Sequence, residues 1–376
     1  MITQKSRFDP PASFILPEGC HPETSIFFDI ETTGFRPEHS QVYLIGALYY
    51  SGKEWHTIQW MSENTGEESA LLRVFDAFLR PYRDIIHFNG DRFDIPYLRA
   101  RYRACCLADP FEAQSLNTHD LFRKIRTLKK LLSLEHCSQK SLECFLGLSR
   151  KDPFHGGELI RVYQNYCTHP DDSLLSSLLL HNREDLTGML SLTALLAYVP
   201  LVFSPEDSPV IRNTVQARLL PENPDDPENS ENLPRELQIR FQLPDEIPAA
   251  LIRRTDFCRL SAAGNEVLLT VPVYHGKLKH YFPNSQDYYY LPAEDQAIHK
   301  SVAVFVDPSH RVKATADTCY ICREGLFLPQ QNGHRFSPVF YRDRKDSVSF
   351  FPLPEDIRDP SFLIGYVCAL LPQFCG

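Results

Sequence analysis

Hydrophobic and polar positions in the first half of the chain fall into short strand-like blocks followed by longer helical ones. SIFFDIE (25–31), VYLIGALYY (42–50) and EWHTIQWM (54–61) are apolar or alternating runs bounded by turn formers, and Ser51 and Gly52 join the last two as a hairpin. EESALLRVFDAFLRPY (67–82) carries apolar residues at helical spacing. DIIHF (84–88) is a further short strand, a helix is expected from Ile95 and Pro96, and SLNTHDLF (115–122) is a candidate fifth strand. Helices follow to about Val199, including a long apolar-periodic stretch from Leu174 to Tyr198. Three strands, then alternating helix and strand, predict an α/β domain over 24–200, preceded by an irregular lead-in over 1–23.

Beyond that domain the pattern changes. LLPENPDDPENSENLPR (219–235) is acidic, proline-rich and nearly free of large apolar residues, which predicts a linker over 201–235. From 236 to 376 short blocks follow one another: EVLLTVPVY, KLKHYF, YYYLP, SVAVFV, RVKATADTCYI and GLFLPQ. They predict a smaller β-rich accessory domain whose last element is a helix in PSFLIGYVCALL.

The first strand carries the candidate chemistry. Side chains repeat every second residue, so Asp29 and Glu31 share one face of a core strand. Two carboxylates there repel one another and lose solvation, a combination that divalent cations relieve. Thr32, Thr33 and Gly34 follow where the strand must turn, with Phe35 next. HFNGDRFDIPYL (87–98) ends a strand with turn formers and puts Asp94 at a strand-to-helix junction, in position to cap the helix. HNREDLTGML (181–190) puts His181 and Asp185 four apart on one helix face, where a carboxylate can hold a metal and an imidazole can orient or deprotonate a water.

These three motifs, in this order, resemble those of the DEDD 3′→5′ exonucleases of the ribonuclease-H-like fold, with a closer similarity to the YprB-type branch, over roughly residues 24–198. The resemblance implies a ribonuclease-H-like mixed sheet with flanking helices. It implies that Asp29, Glu31, Asp94 and Asp185 ligate two divalent metal ions, Mg²⁺ or Mn²⁺, and that His181 positions the attacking water. Asn89 and Phe93 match positions that contact the terminal nucleotide, and Phe35, after Thr32, Thr33 and Gly34, matches an apolar wedge against the last bases. His181 stands four before Asp185, where the tyrosine subtype has Tyr; the histidine subtype has His five before, so the chain matches neither subtype. The implied activity is two-metal hydrolysis of DNA or RNA phosphodiesters from a 3′ end. Alternatives from the same fold are a nucleic-acid-binding module with little turnover and a structure-selective endonuclease.

Composition narrows this picture. A net charge of −9 argues against nucleic-acid binding over the whole surface but leaves room for local tracks. Candidates are Arg123 to Lys140, then Arg99, Arg101 and Arg103, then Arg150 and Lys151. Asp120 reads as a cap or strand-end acceptor. The run YYYLPAEDQAIHKSV (288–302) combines aromatics and cations, either as a β-domain core or as a stacking surface for a single strand. Eleven cysteines without regular spacing read as reduced and structural, the pair Cys319 and Cys322 included. No apolar segment of signal-peptide or membrane-span type stands out, and a cytoplasmic location is expected.

Overall fold

The structure, a computed structural model, describes residues 1–154, 156–203, 205–221, 234–331 and 335–374. The chain divides into two compact units, residues 1–199 with 247–249 and residues 200–246 with 250–376.

The first unit is built on a six-stranded mixed sheet in the order β1-β4-β3-β2-β5-β6. Its strands are β1 (Ile2–Phe8), β2 (Ser25–Thr32), β3 (Val42–Ser51), β4 (Glu54–Met61), β5 (Asp84–His87) and β6 (Asn117–Asp120). The first four pair antiparallel, whereas β5 joins β2, and β6 joins β5, in parallel. Helices α1 (Glu68–Leu79), α2 (Asp94–Ala104), α3 (Pro110–Ala113), α4 (Leu121–Ile125), α5 (Gln139–Phe145), α6 (Gly156–Thr168) and α7 (Asp172–Leu192) connect and flank it.

Alternation along β2 sorts its residues between two faces. Ile26, Phe28 and Ile30 join a core with Leu71, Leu72 and Phe75 of α1 and Leu98 and Tyr102 of α2. The intervening Asp29 and Glu31 therefore look the other way, toward α7. That second face is closed by Tyr43, Met61, Leu159, Tyr163 and Leu178, with the Tyr43 and Tyr163 rings stacked at 3.9 Å. The β2–β3 ladder shifts register between Glu31 and Thr32, so the strand bends immediately after the second carboxylate.

The lead-in is not irregular throughout. Ile2–Phe8 forms edge strand β1 on β4, with Lys5 and Arg7 among its polar residues. Charged side chains along an edge suit its outer position, and they mask the apolar signal that a central strand shows. Asp94 is the first residue of α2 and not its cap. Phe93 holds the cap position, without a side-chain cap bond.

In the second unit α8 (Pro209–Thr214) precedes β7 (Gln216–Pro221), β8 (Pro234–Gln242), β9 (Leu251–Arg254), β10 (Arg259–Ala263) and β11 (Glu266–Pro272), which form a sheet in the order β7-β8-β11-β10-β9. The expected linker thus contains a helix and a strand of this sheet, and its residues 222–233 lie outside the described residues. Two three-stranded sheets follow. One joins β12 (Tyr274–Tyr281), β16 (Tyr320–Gln331) and β17 (Val348–Pro352). The other joins β13 (Tyr288–Leu291), β14 (Gln296–His299) and β15 (Val312–Lys313). SVAVFV is not a strand: Lys300–Ala303 is the short helix α9, and Val304 and Phe305 after it are exposed. The last helix, α10 (Pro360–Leu370), is where the apolar run expects it. Among the described residues no helix is long and apolar enough to cross a membrane.

Close approach of α7 to β3 depends on Gly46, which pairs with Asp29. A Cβ at that position would overlap the Asn182 side-chain oxygen and crowd Leu186. Gly46→Ala is expected to destabilise the protein by about 1–3 kcal/mol through overpacking, read as a lower urea midpoint with an unchanged slope.

Candidate metal centre

Three chain segments supply the acidic groups that the sequence singles out. Asp29 and Glu31 come from β2, Asp94 from the first turn of α2, and Asp185 from the middle of α7. Ligand atoms of Glu31, His181 and Asp185 all lie within 4.8 Å of one another. The His181 Nε2 is 3.2 Å from Asp185 Oδ2 and 3.5 Å from Glu31 Oε1. The helical spacing of four residues thus brings His181 and Asp185 together as expected, and both face β2.

Burial makes this grouping electrostatically costly. Desolvation, then the fields of Asp185, Asp94 and Glu31, push the Asp29 carboxyl well above its usual range, against one hydrogen bond from Asn182. Desolvation, then Asp185, Asp94 and Asp152, do the same to Glu31. Asp94 is pushed up to about 7, chiefly by desolvation, although its own N–H and that of Ile30 oppose the shift. Asp185 thus acts on Asp29, Glu31 and Asp94 alike, and Asp94 acts on both carboxylates of β2. Asp29 Oδ2 accepts a hydrogen bond from Asn182 Nδ2 at 2.9 Å, and Glu31 Oε1 lies 3.5 Å from His181 Nε2. Such a set, all oxygen apart from one imidazole, fits hard divalent cations.

The remaining residues named for substrate contact lie around the same end of the sheet, at or just after the carboxyl ends of β2 and β5. The Thr32 hydroxyl donates to the Gly34 carbonyl, and Thr33 Oγ1 accepts the Gln41 N–H, which fixes the turn after β2. Phe35, beyond that turn, is 75% exposed and free to meet a ligand. Asn89 takes a left-handed backbone conformation (φ 64°) and donates its N–H to Asp120 Oδ1 at 2.8 Å. Phe93 packs against the core with its ring 5.4 Å from Tyr97. Asp120 also accepts the Phe122 N–H as the cap of α4.

Several residues at the centre have no signal of their own in the motifs. Asn182, wholly buried, bridges Asp29 to Gln59, whose side-chain amide donates to it at 2.9 Å. Arg150 is held by Glu143 through bonds of 2.5 and 2.7 Å and pairs with Asp185 Oδ1 at 2.6 Å through Nη1. Asp152 Oδ2 lies 2.6 Å from His181 Nδ1 and 3.4 Å from Lys140 Nζ. Two adjacent buried polar residues, His181 and Asn182, within an apolar helix were the available hint. The basic tracks are partly internal. Arg101 forms a buried pair with Glu68, and Arg99 lies 3.5 Å from Asp109.

In the second unit Tyr288 stacks on Phe282 at 4.5 Å, and the Tyr290 hydroxyl donates to Asp295, so these tyrosines are engaged within the fold. Cys319 is buried, and among the described residues neither it nor Cys322 belongs to a metal-ligating group.

A pH dependence follows from the raised carboxyls. In the folded state Asp94 keeps a proton that it has lost in the unfolded chain, from the ordinary carboxylate range up to about 7, so its contribution to stability falls as pH rises through that window. Chelator-treated protein should melt at a higher temperature at pH 6 than at pH 8. Asp94→Asn should narrow that gap, and saturating Mg²⁺ or Mn²⁺ should raise the melting temperature at pH 8. Thermal melts across this grid check all three outcomes.

Residues 26–197 match the family model described as the RNase_H superfamily. No curated protein matches the sequence. Similar solved structures include a family B DNA polymerase from the hyperthermophilic archaeon Pyrobaculum calidifontis, at 13% identity and a TM-score of 0.38, covering 53% of this chain and 29% of that one. Exonuclease I is similar at 12% identity and a TM-score of 0.29, covering 58% and 55%. A zinc-bound E. coli exonuclease I complex with single-stranded DNA is similar at 14% identity and a TM-score of 0.28, covering 57% and 54%. The chain spans less than a third of the polymerase and just over half of exonuclease I. Strand order, flanking helices and the matched family model together give the segment 26–197 a ribonuclease-H-like fold.

Proposed function

We propose that this chain is a metal-dependent nuclease of the DEDD, YprB-like type, which hydrolyses DNA or RNA from a 3′ end. The observation that carries the reading is the shared field of Asp29, Glu31, Asp94 and Asp185, with His181 directed into it. These four carboxylates would hold two divalent ions, Mg²⁺ or Mn²⁺. Bound there, the ions would supply a nucleophile at neutral pH and offset charge on the departing 3′ oxygen.

The chain's own residues have separate tasks. His181 Nε2 orients a water toward the phosphorus and receives its proton as the P–O3′ bond breaks, releasing a 5′-monophosphate. Asn89, Phe93 and the turn from Thr32 to Phe35 hold the terminal nucleotide. Arg92, Arg123 and Arg126 line a cavity of about 330 Å³ with Phe122, Asp91 and Asp120, just past the ends of β5 and β6. These arginines would meet the phosphates of an incoming strand, and Phe122 offers an aromatic face.

Arg150 on Asp185 favours a second reading, a binding module with little turnover, because a guanidinium already neutralises one of the four acids. A single assay separates the two. End-labelled oligonucleotides with Mg²⁺ or Mn²⁺ should shorten stepwise from the 3′ end. Asp29→Asn should reduce the rate by at least about 100-fold, since a ligand lost to a charged centre costs several kcal/mol of transition-state stabilisation. Retention of the labelled strand without cleavage selects the binding module, and opening of a circular strand selects an endonuclease.

A further inference from the structure

The loop between α5 and α6 brings a carboxylate to the back of His181. The Asp152 side chain is 1% exposed, and its Oδ2 lies 2.6 Å from His181 Nδ1. Its other oxygen, Oδ1, accepts the Phe154 N–H at 3.0 Å. Lys140 Nζ lies 3.4 Å from Oδ2 and also donates to the Phe154 carbonyl. Glu184, one turn beyond His181 on α7, accepts the backbone N–H groups of Lys151 and Asp152 at 3.0 Å each. The carboxylate is thus fixed from both sides, by its own loop and by the helix that carries the imidazole. Desolvation acts to raise its pKa, but the Phe154 N–H, His181 and Lys140 together hold it below the usual range, so it is an acceptor at neutral pH.

An ionised carboxylate can only accept, so the proton between the two groups belongs to His181 Nδ1. In neutral imidazole Nε2 is then the acceptor, and it points between Glu31 and Asp185. On the nuclease reading, the attacking water is the donor that this nitrogen would accept. We propose that Asp152 is a positioning residue: it fixes the tautomer and orientation of His181, so that Nε2 is presented as the acceptor for the attacking water. The proposal rests on the nuclease reading above for the identity of that water. It also explains how a His four residues before the Asp serves the centre, because the loop supplies the backing that sets the ring.

Asp152→Asn is a sharp probe. The Phe154 N–H needs an acceptor, so the amide oxygen takes that side and the NH₂ turns toward Nδ1. His181 must then accept at Nδ1 and carry its proton on Nε2, the wrong tautomer for taking a proton from water. We expect kcat to fall about 10- to 100-fold, the usual effect of losing such a backing carboxylate, with KM within about 3-fold. His181→Gln with Asp152→Asn should lose no more than His181→Gln alone, because both act through one ring. In ¹⁵N-histidine spectra the His181 signals, assigned by their loss in His181→Gln, should show a strongly downfield Nδ1 proton in the wild type and its transfer to Nε2 in Asp152→Asn.

Additive losses, an unchanged kcat in folded Asp152→Asn, or a wild-type His181 with no proton on Nδ1 would each overturn the proposal. The wild-type spectrum decides the last point even where the variant does not fold. Should the wild type cleave nothing, the nuclease reading fails by itself, and the spectra still report whether Asp152 sets the ring.

Discussion

Like charges gathered out of water at one end of a sheet are the constraint around which the first unit is built. Asp29 and Glu31 are adjacent on the α7-facing side of β2, and Asp94 and Asp185 add to the same field. Burying even one ionised carboxyl without a partner is costly, and here Asp185 pushes up Asp29, Glu31 and Asp94 on top of their desolvation. Such a group is compatible with divalent cations, which would complete the charge balance.

The scaffold spends its internal cations and close contacts on holding the acids apart and aimed. Asn182 ties Asp29 to Gln59 of β4, which requires α7 to approach the sheet at Gly46. On the opposite side of α7, Gly188 leaves room for Glu143, which in turn clamps Arg150 against Asp185. Each face of α7 therefore depends on a glycine, for close approach and not for an unusual backbone angle. Larger side chains would move His181 and Asp185 together, because both ride on this one rigid helix.

Local pattern revealed what is local. Period-two alternation placed Asp29 and Glu31 on one face, and helical spacing joined His181 to Asp185. Groups brought together by chain reversal had no such signature. Asp152 and Arg150 lie in a short charged run that reads as a basic patch, and only the fold shows one facing His181 and the other Asp185. Strand β1 was hidden because Thr3, Gln4, Lys5 and Arg7 suit an exposed edge, and the apolar content of SVAVFV concealed a short helix followed by exposed Val304 and Phe305.

Charge in this unit is better understood by partner than by tally. Lys140, Arg101 and Arg150 all looked available to a polyanion, yet each is paired with a buried acid: Asp152, Glu68 and Glu143. The buried Arg101–Glu68 and Arg150–Glu143 pairs are screened little by salt, whereas exposed arginines such as Arg92, Arg123 and Arg126 interact through water and are screened within about 8–10 Å. Two populations of cation thus follow from burial alone. One fixes the geometry of the acidic centre at any ionic strength, and the other can attract a phosphate chain only as strongly as the surrounding salt permits. A net negative chain is consistent with such a division, because the cations that shape the centre are already paired with carboxylates.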